Sequence, residues 1–62
     1  MATKKDLVKI TCYGTTKILE RKDAIKEFRE AMFACEGHEQ ERYVYIYECL
    51  LYGDKVIDDS NV

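Results

Sequence analysis

Proline and tryptophan are both absent from these 62 residues, and glycine, at three residues, is scarce. Without tryptophan, the large rings available to a core are two phenylalanines and five tyrosines. Four of the tyrosines fall in one stretch, YVYIYECLLY at residues 43–52. The few glycines also limit the chemistry: Gly14, Gly37 and Gly53 stand alone in turn or cap positions, with no phosphate-binding pattern around them. Three cysteines at irregular spacing do not make a secreted disulfide framework, which uses even numbers, so reduced thiols are expected. No apolar run approaches the roughly 20 residues that span a bilayer. The basic start MATKKD leads into an apolar stretch too short and interrupted for a secretory leader, and a cytoplasmic location is expected. The net charge of −2 belongs neither to a polybasic nucleic-acid binder nor to an acidic mimic of nucleic acid.

What is present is an ordinary globular composition, 47% hydrophobic and 35% charged, which argues against disorder. A chain this short is one domain, residues 1–62, with 1–6 and 59–62 expected to be flexible. It buries only about 60% of its unfolded surface, so each large apolar side chain matters. From Leu7, Val8, Ile10 and Cys12 alternate with Lys9, Thr11 and Tyr13, the period of a half-buried strand. A turn centred on Tyr13-Gly14 or Gly14-Thr15 leads to a second strand at 16–20 with Ile18 inward. Ile25, Phe28, Met32 and Cys35 recur every three or four residues and predict a helix over 21–35, closed by Gly37 in a left-handed cap.

His38 then takes an N-cap position, with Glu41 where a capping box puts its carboxylate. A second helix runs through 43–52 and stops at Gly53, and residues 55–58 form a third strand before a loose polar tail. The expected fold is a small two-layer α+β domain of order β-β-α-α-β, a β-hairpin plus C-terminal strand packed on an antiparallel helix pair.

On a helical wheel, Tyr43, Val44, Ile46, Tyr47, Leu50 and Leu51 make a generous core face of the second helix. The opposite face carries Tyr45, Tyr52 and Cys49 among Arg42, Glu41 and Glu48. Two readings compete. The tyrosines stand singly on the surface or under the terminal strand, or they form a contact patch, since tyrosine and arginine bring large amphipathic area to interfaces. The second reading makes Tyr45, Tyr52, Cys49 and Arg42, with Phe33 of the first helix, a protein-binding surface. The partner is an unknown protein or a second copy in a homodimer. A nucleic-acid alternative rests on Lys22, Lys26 and Arg29 with Phe33, helped by Lys4, Lys5 and Lys9, although a solvated charged flank explains them as well. A zinc-stabilised alternative rests on Cys35, His38 and Cys49, perhaps with Cys12, but their helical phases diverge and small apolar fillers explain the cysteines. No metal or other cofactor is expected. Nothing suggests an oxyanion hole or an oriented nucleophile, and the expectation is a protein that is not an enzyme.

The phrases KITCYG with ILERKDAI, and EGHEQERY with IYECLL, resemble a family of short uncharacterised proteins of Gram-positive gut bacteria and their mobile elements. The likeness runs from Val8 to Gly53. The shared phrases mark a hairpin turn, a helix start and a helix-helix connection, and this chain departs from the family at His38, where the family has a better cap. The resemblance implies a cytosolic bacterial source and a non-enzymatic accessory role, and brings no catalytic residues with it.

Overall fold

The computed structural model describes residues 6–61. Its elements are β1 (Leu7–Cys12), β2 (Thr15–Glu20), α1 (Arg21–Ala34), α2 (His38–Tyr52), β3 (Val56–Asp58) and a single 3-10 turn, Asp59–Asn61. The sheet has the order β2-β1-β3, with β1 antiparallel to β2 and parallel to β3. Both helices lie on one face of it, so the two-layer α+β arrangement holds.

The hairpin turn sets everything on the sheet. Tyr13 and Gly14 both have positive φ, 53° and 78°, the pair that a two-residue type I′ turn requires. That turn puts Cys12 opposite Thr15, Ile10 opposite Lys17 and Val8 opposite Leu19. Because faces alternate with period two, Leu19 is the β2 side chain that joins the core, and Ile18 points to the other face. The expectation of an inward Ile18 is corrected by this register. β3 adds Ile57 beside Ile10, so Val8, Ile10 and Ile57 form the buried floor.

α1 covers that floor with Ala24 and Phe28, and α2 with Ile46, Cys49 and Leu50. α1 ends one residue earlier than its periodicity predicts. Cys35 is extended at φ −119°, and Gly37, at φ 66° and ψ −136°, enters α2 as its N-cap instead of closing α1. His38 is accordingly the first residue of α2 and makes no side-chain cap bond; its Nδ1 lies 3.3 Å from the Glu41 carboxylate, fully in solvent. One open carbonyl of α1, at Met32, accepts from Gln40 Nε2 at 3.2 Å instead.

The far end of α2 is closed twice. Gly53, at φ 96°, sends its N–H to Leu50, and Asp54 sends its N–H to Cys49, the two bonds of a Schellman motif. Arg21 then reinforces the cap: Nη1 donates at 2.7 Å to the same Leu50 carbonyl that accepts from Gly53, and Nη2 donates to the carbonyls of Gly53 and Asp54 at 3.2 and 3.0 Å. Its Nε donates to Asp6 at 2.6 Å. A cation at a helix C-terminus meets both orphan carbonyls and the negative end of the helix dipole. Gly53→Ala should destabilise the fold by about 1–2 kcal/mol, because a Cβ is strained in that left-handed conformation even though nothing crowds the position. Urea unfolding of the two proteins, with unchanged slope, is the measurement.

The tail departs from expectation. Asp59 is buried, held by Tyr13 N–H at 3.0 Å and Arg42 Nη1 at 2.9 Å. Residues 1–5 and 62, where flexibility is also expected, lie outside the described residues. Among the described residues no helix is long and apolar enough to cross a membrane.

Candidate functional surfaces

The face of α2 singled out from the sequence is real as a geometric stripe, since Tyr45, Cys49 and Tyr52 follow one another at helical spacing. It does not face solvent throughout. Cys49 is 9% exposed and belongs to the core, and Tyr45 is half-buried against it. Only Tyr52, at 80%, is free. The expectation that Cys49 and Tyr45 point outward is overturned by the helix's position. α2 sits over both α1 and the β1–β3 side of the sheet, which turns its buried arc toward Cys49 and leaves Leu51 57% exposed.

Arg42 is also taken. Its guanidinium pairs with Asp59 and lies 5.0 Å from the centre of the Tyr13 ring. Tyr13 in turn meets Tyr43 edge-on at 6.4 Å, and Tyr43 meets Phe28 at 5.9 Å. A string of rings and charges thus fastens the hairpin tip to α2 and to the C-terminal turn. The backbone N–H of Tyr13, and then the Arg42 guanidinium, hold the Asp59 carboxyl below its ordinary range despite burial. Burial, and then the neighbouring Asp59 charge, push the Cys12 thiol up, so it stays a thiol and a poor nucleophile. Burial also raises Cys35 and Cys49.

Phe33 is 73% exposed near the end of α1, where it was expected, but about four turns of helix separate its level from that of Tyr52 on the antiparallel partner. The two do not form one patch. Lys22, Lys26 and Arg29 are all exposed on α1, interleaved with exposed Asp23, Glu27 and Glu30; Lys22 lies 3.9 Å from Glu20. At i, i+4 and i+7 the three cations make one narrow basic stripe along α1, bordered by the acidic stripe of Asp23, Glu27 and Glu30. Cys35, His38 and Cys49 are not brought together, and among the described residues no group of three acidic, cysteine or histidine side chains is placed to hold a metal ion.

Two features that sequence reasoning missed are better formed. The first is the open face of the sheet. Ile18, Lys9 and Val56 lie in one row across the three strands, paired residue to residue, with Leu7 next to Lys9 along β1. Ile18 is 63%, Val56 73% and Leu7 47% exposed. The rim is polar: Glu20 opposite Leu7, Asp58 opposite Thr11, and Thr11 hydrogen-bonded to Thr16 at 3.0 Å. The alternation of β1 and a two-residue turn, read together, carry this information, since either turn centre leaves Ile18 opposite an outward residue of β1.

The second is a groove of about 420 Å³ on the helix side, between the inner face of the hairpin and α1. Phe28, Ala31 and Tyr43 line it, with Tyr13 at the tip and the Lys17–Glu27 pair, 4.0 Å apart, at its wall. Lys17 is there because the register turns it inward on the edge strand, with no signal in composition.

No family model, no curated protein and no solved structure matches the chain.

Proposed function

We propose that this chain is a non-catalytic association module that pairs with a second copy of itself through the open face of its sheet. The observation that carries this reading is the row Ile18–Lys9–Val56 together with Leu7. A three-stranded sheet with helices on one face normally turns polar side chains outward on the other. Here three of the large aliphatic residues of the chain are grouped on that face instead of being scattered singly.

The row also fits itself. Turning a second copy about a two-fold axis parallel to β1 lays β2 of one over β3 of the other. Ile18 then meets Val56, and Val56 meets Ile18, each contact made twice as an isologous interface requires. The two Lys9 stems lie along the apolar row, and their ammonium groups reach outward to the partner's Glu20 or Asp58 at the rim. Tyr52 and Phe33 remain outside this interface as single exposed aromatics. The raised thiols of Cys12, Cys35 and Cys49 support the non-enzymatic side of the reading, since none is poised as a thiolate.

Sedimentation velocity across a wide concentration series tests it. The wild type should show a concentration-dependent dimer. Ile18→Lys and Val56→Lys should each weaken it by about tenfold or more, the scale of losing one buried aliphatic contact, while far-UV circular dichroism stays unchanged. Tyr52→Lys should leave the dimer intact. A wild type that stays monomeric at high micromolar concentration, or an Ile18→Lys variant that pairs undiminished, sinks the proposal.

A further inference from the structure

We propose that the groove between the hairpin and α1 is a binding site for a small aromatic zwitterion, a molecule that carries one planar ring and an adjacent ammonium–carboxylate pair. The site has the two parts that such a ligand needs. Its volume, about 420 Å³, is within the usual range for small-molecule sites and far larger than a packing defect. One end is a slot of rings: Phe28 and Tyr43 are tilted at 41° to each other, and Tyr13 closes the tip edge-on to Tyr43. Offset and edge-to-face geometries of this kind accept a further aromatic ring. Ala31 on α1 is small, which leaves the slot open from the helix side.

The other end carries one charge of each sign. Lys17 Nζ and Glu27 Oε1 face each other across the wall at 4.0 Å, and both side chains are about half exposed. That separation is too long for a hydrogen-bonded ion pair. The pair is therefore loose, and each group has hydrogen-bonding capacity to offer. A lone carboxylate entering beside Lys17 would meet Glu27, and a lone amine beside Glu27 would meet Lys17. A ligand with both charges satisfies both, which is the electrostatic ground for choosing a zwitterion over an anion or a cation. Of the other charges nearby, Asp59 and Arg42 are already engaged with each other and with Tyr13, and the Glu39 carboxylate lies at the ring end, close enough to act on Tyr13 and Tyr43.

The groove lies on the opposite side of the sheet from the face proposed for pairing, so either proposal can fail alone. Amide chemical shifts of the isotopically labelled protein, followed during titration, are the readout. Four probes separate the parts: phenylalanine has ring and both charges, hydrocinnamate lacks the ammonium, phenethylamine lacks the carboxylate, and alanine lacks the ring. Phenylalanine should give saturable shifts at Cys12, Thr15, Lys17 and Ala31, with an affinity at least about tenfold above each of the other three, the scale of one charge-assisted hydrogen bond. Lys17→Gln, at an exposed position that folding does not need, should remove the advantage of phenylalanine over phenethylamine. Ala31→Leu should fill the slot and abolish the shifts. No saturable shift with phenylalanine, equal affinity for the singly charged probes, or undiminished binding by Lys17→Gln overturns the proposal.

Discussion

Asp59→Ala is expected to lower stability by about 2–3 kcal/mol, the scale of removing a hydrogen-bonded charge whose partners stay behind. In a domain of this size that shifts the thermal midpoint down by roughly 8–24 °C. The substitution strands the Tyr13 N–H and leaves Arg42, which is tucked against the Tyr13 ring, without its counter-charge. It also frees the C-terminal turn from the hairpin tip. The pH dependence has a definite sign. The folded-state carboxyl is held below the ordinary aspartate value of 3.8, so its stabilisation is fully present above that value. It is lost as pH falls further, through the lowered folded-state value. Thermal melts of wild type and Asp59→Asn should therefore differ most near neutrality and converge in strong acid. A constant gap down to the lowest pH at which the fold survives would show that Asp59 contributes by shape and not by charge.

The second large effect is on α2. Ile46→Ala should cost about 3–4 kcal/mol, since a fully buried aliphatic side chain is replaced by a cavity with rigid walls on both the sheet and the α1 side. A chain of this length has a total stability of roughly 3–9 kcal/mol, so the variant should be close to half unfolded on warming or in mild urea. Leu51→Ala, five residues on, should cost under about 1 kcal/mol because that side chain is mostly in solvent. Chemical denaturation of the two variants side by side measures the phase of the helix directly. Equal losses would mean that the buried arc is centred where the hydrophobic pattern alone puts it and not where the fold does.

That contrast shows how far the sequence could be read. Helix existence was legible from local signals: the spacing of Ile25, Phe28 and Met32, and Gly53 closing α2 in a left-handed cap. Strand β1 was legible because Val8 and Ile10 on one of its faces are fully buried while Leu7 and Lys9 on the other are exposed. The face of α2 was harder, because almost every position from Tyr43 to Tyr52 is apolar. A wheel with apolar residues nearly all round has no single preferred direction, and the choice falls to neighbours distant in sequence. β2 differs: Ile18 and Leu19 are adjacent and equally apolar, and the turn just before them makes the choice. The length of the turn decides which goes inward: a two-residue turn, on either centre, pairs the inward even-numbered residues of β1 with odd-numbered residues of β2, and so turns Leu19 in and Ile18 out. The proposed pairing face and the groove both follow from that one decision, since it puts Ile18 on the open side and Lys17 over Glu27.

The stretch 43–52 and the alternation of Val8, Ile10 and Cys12 determined by themselves that this chain folds as a small α+β unit with a helix hairpin over a sheet, because periodicity and turn chemistry act over a few residues. Tertiary structure decided the rest. Cys49 went inside and Leu51 outside, and Asp59, in a tail that reads as loose, became the buried anchor of Arg42 and Tyr13. Those outcomes depend on contacts between residues up to 46 positions apart, and no local pattern encodes which of several acceptable faces a distant partner will meet.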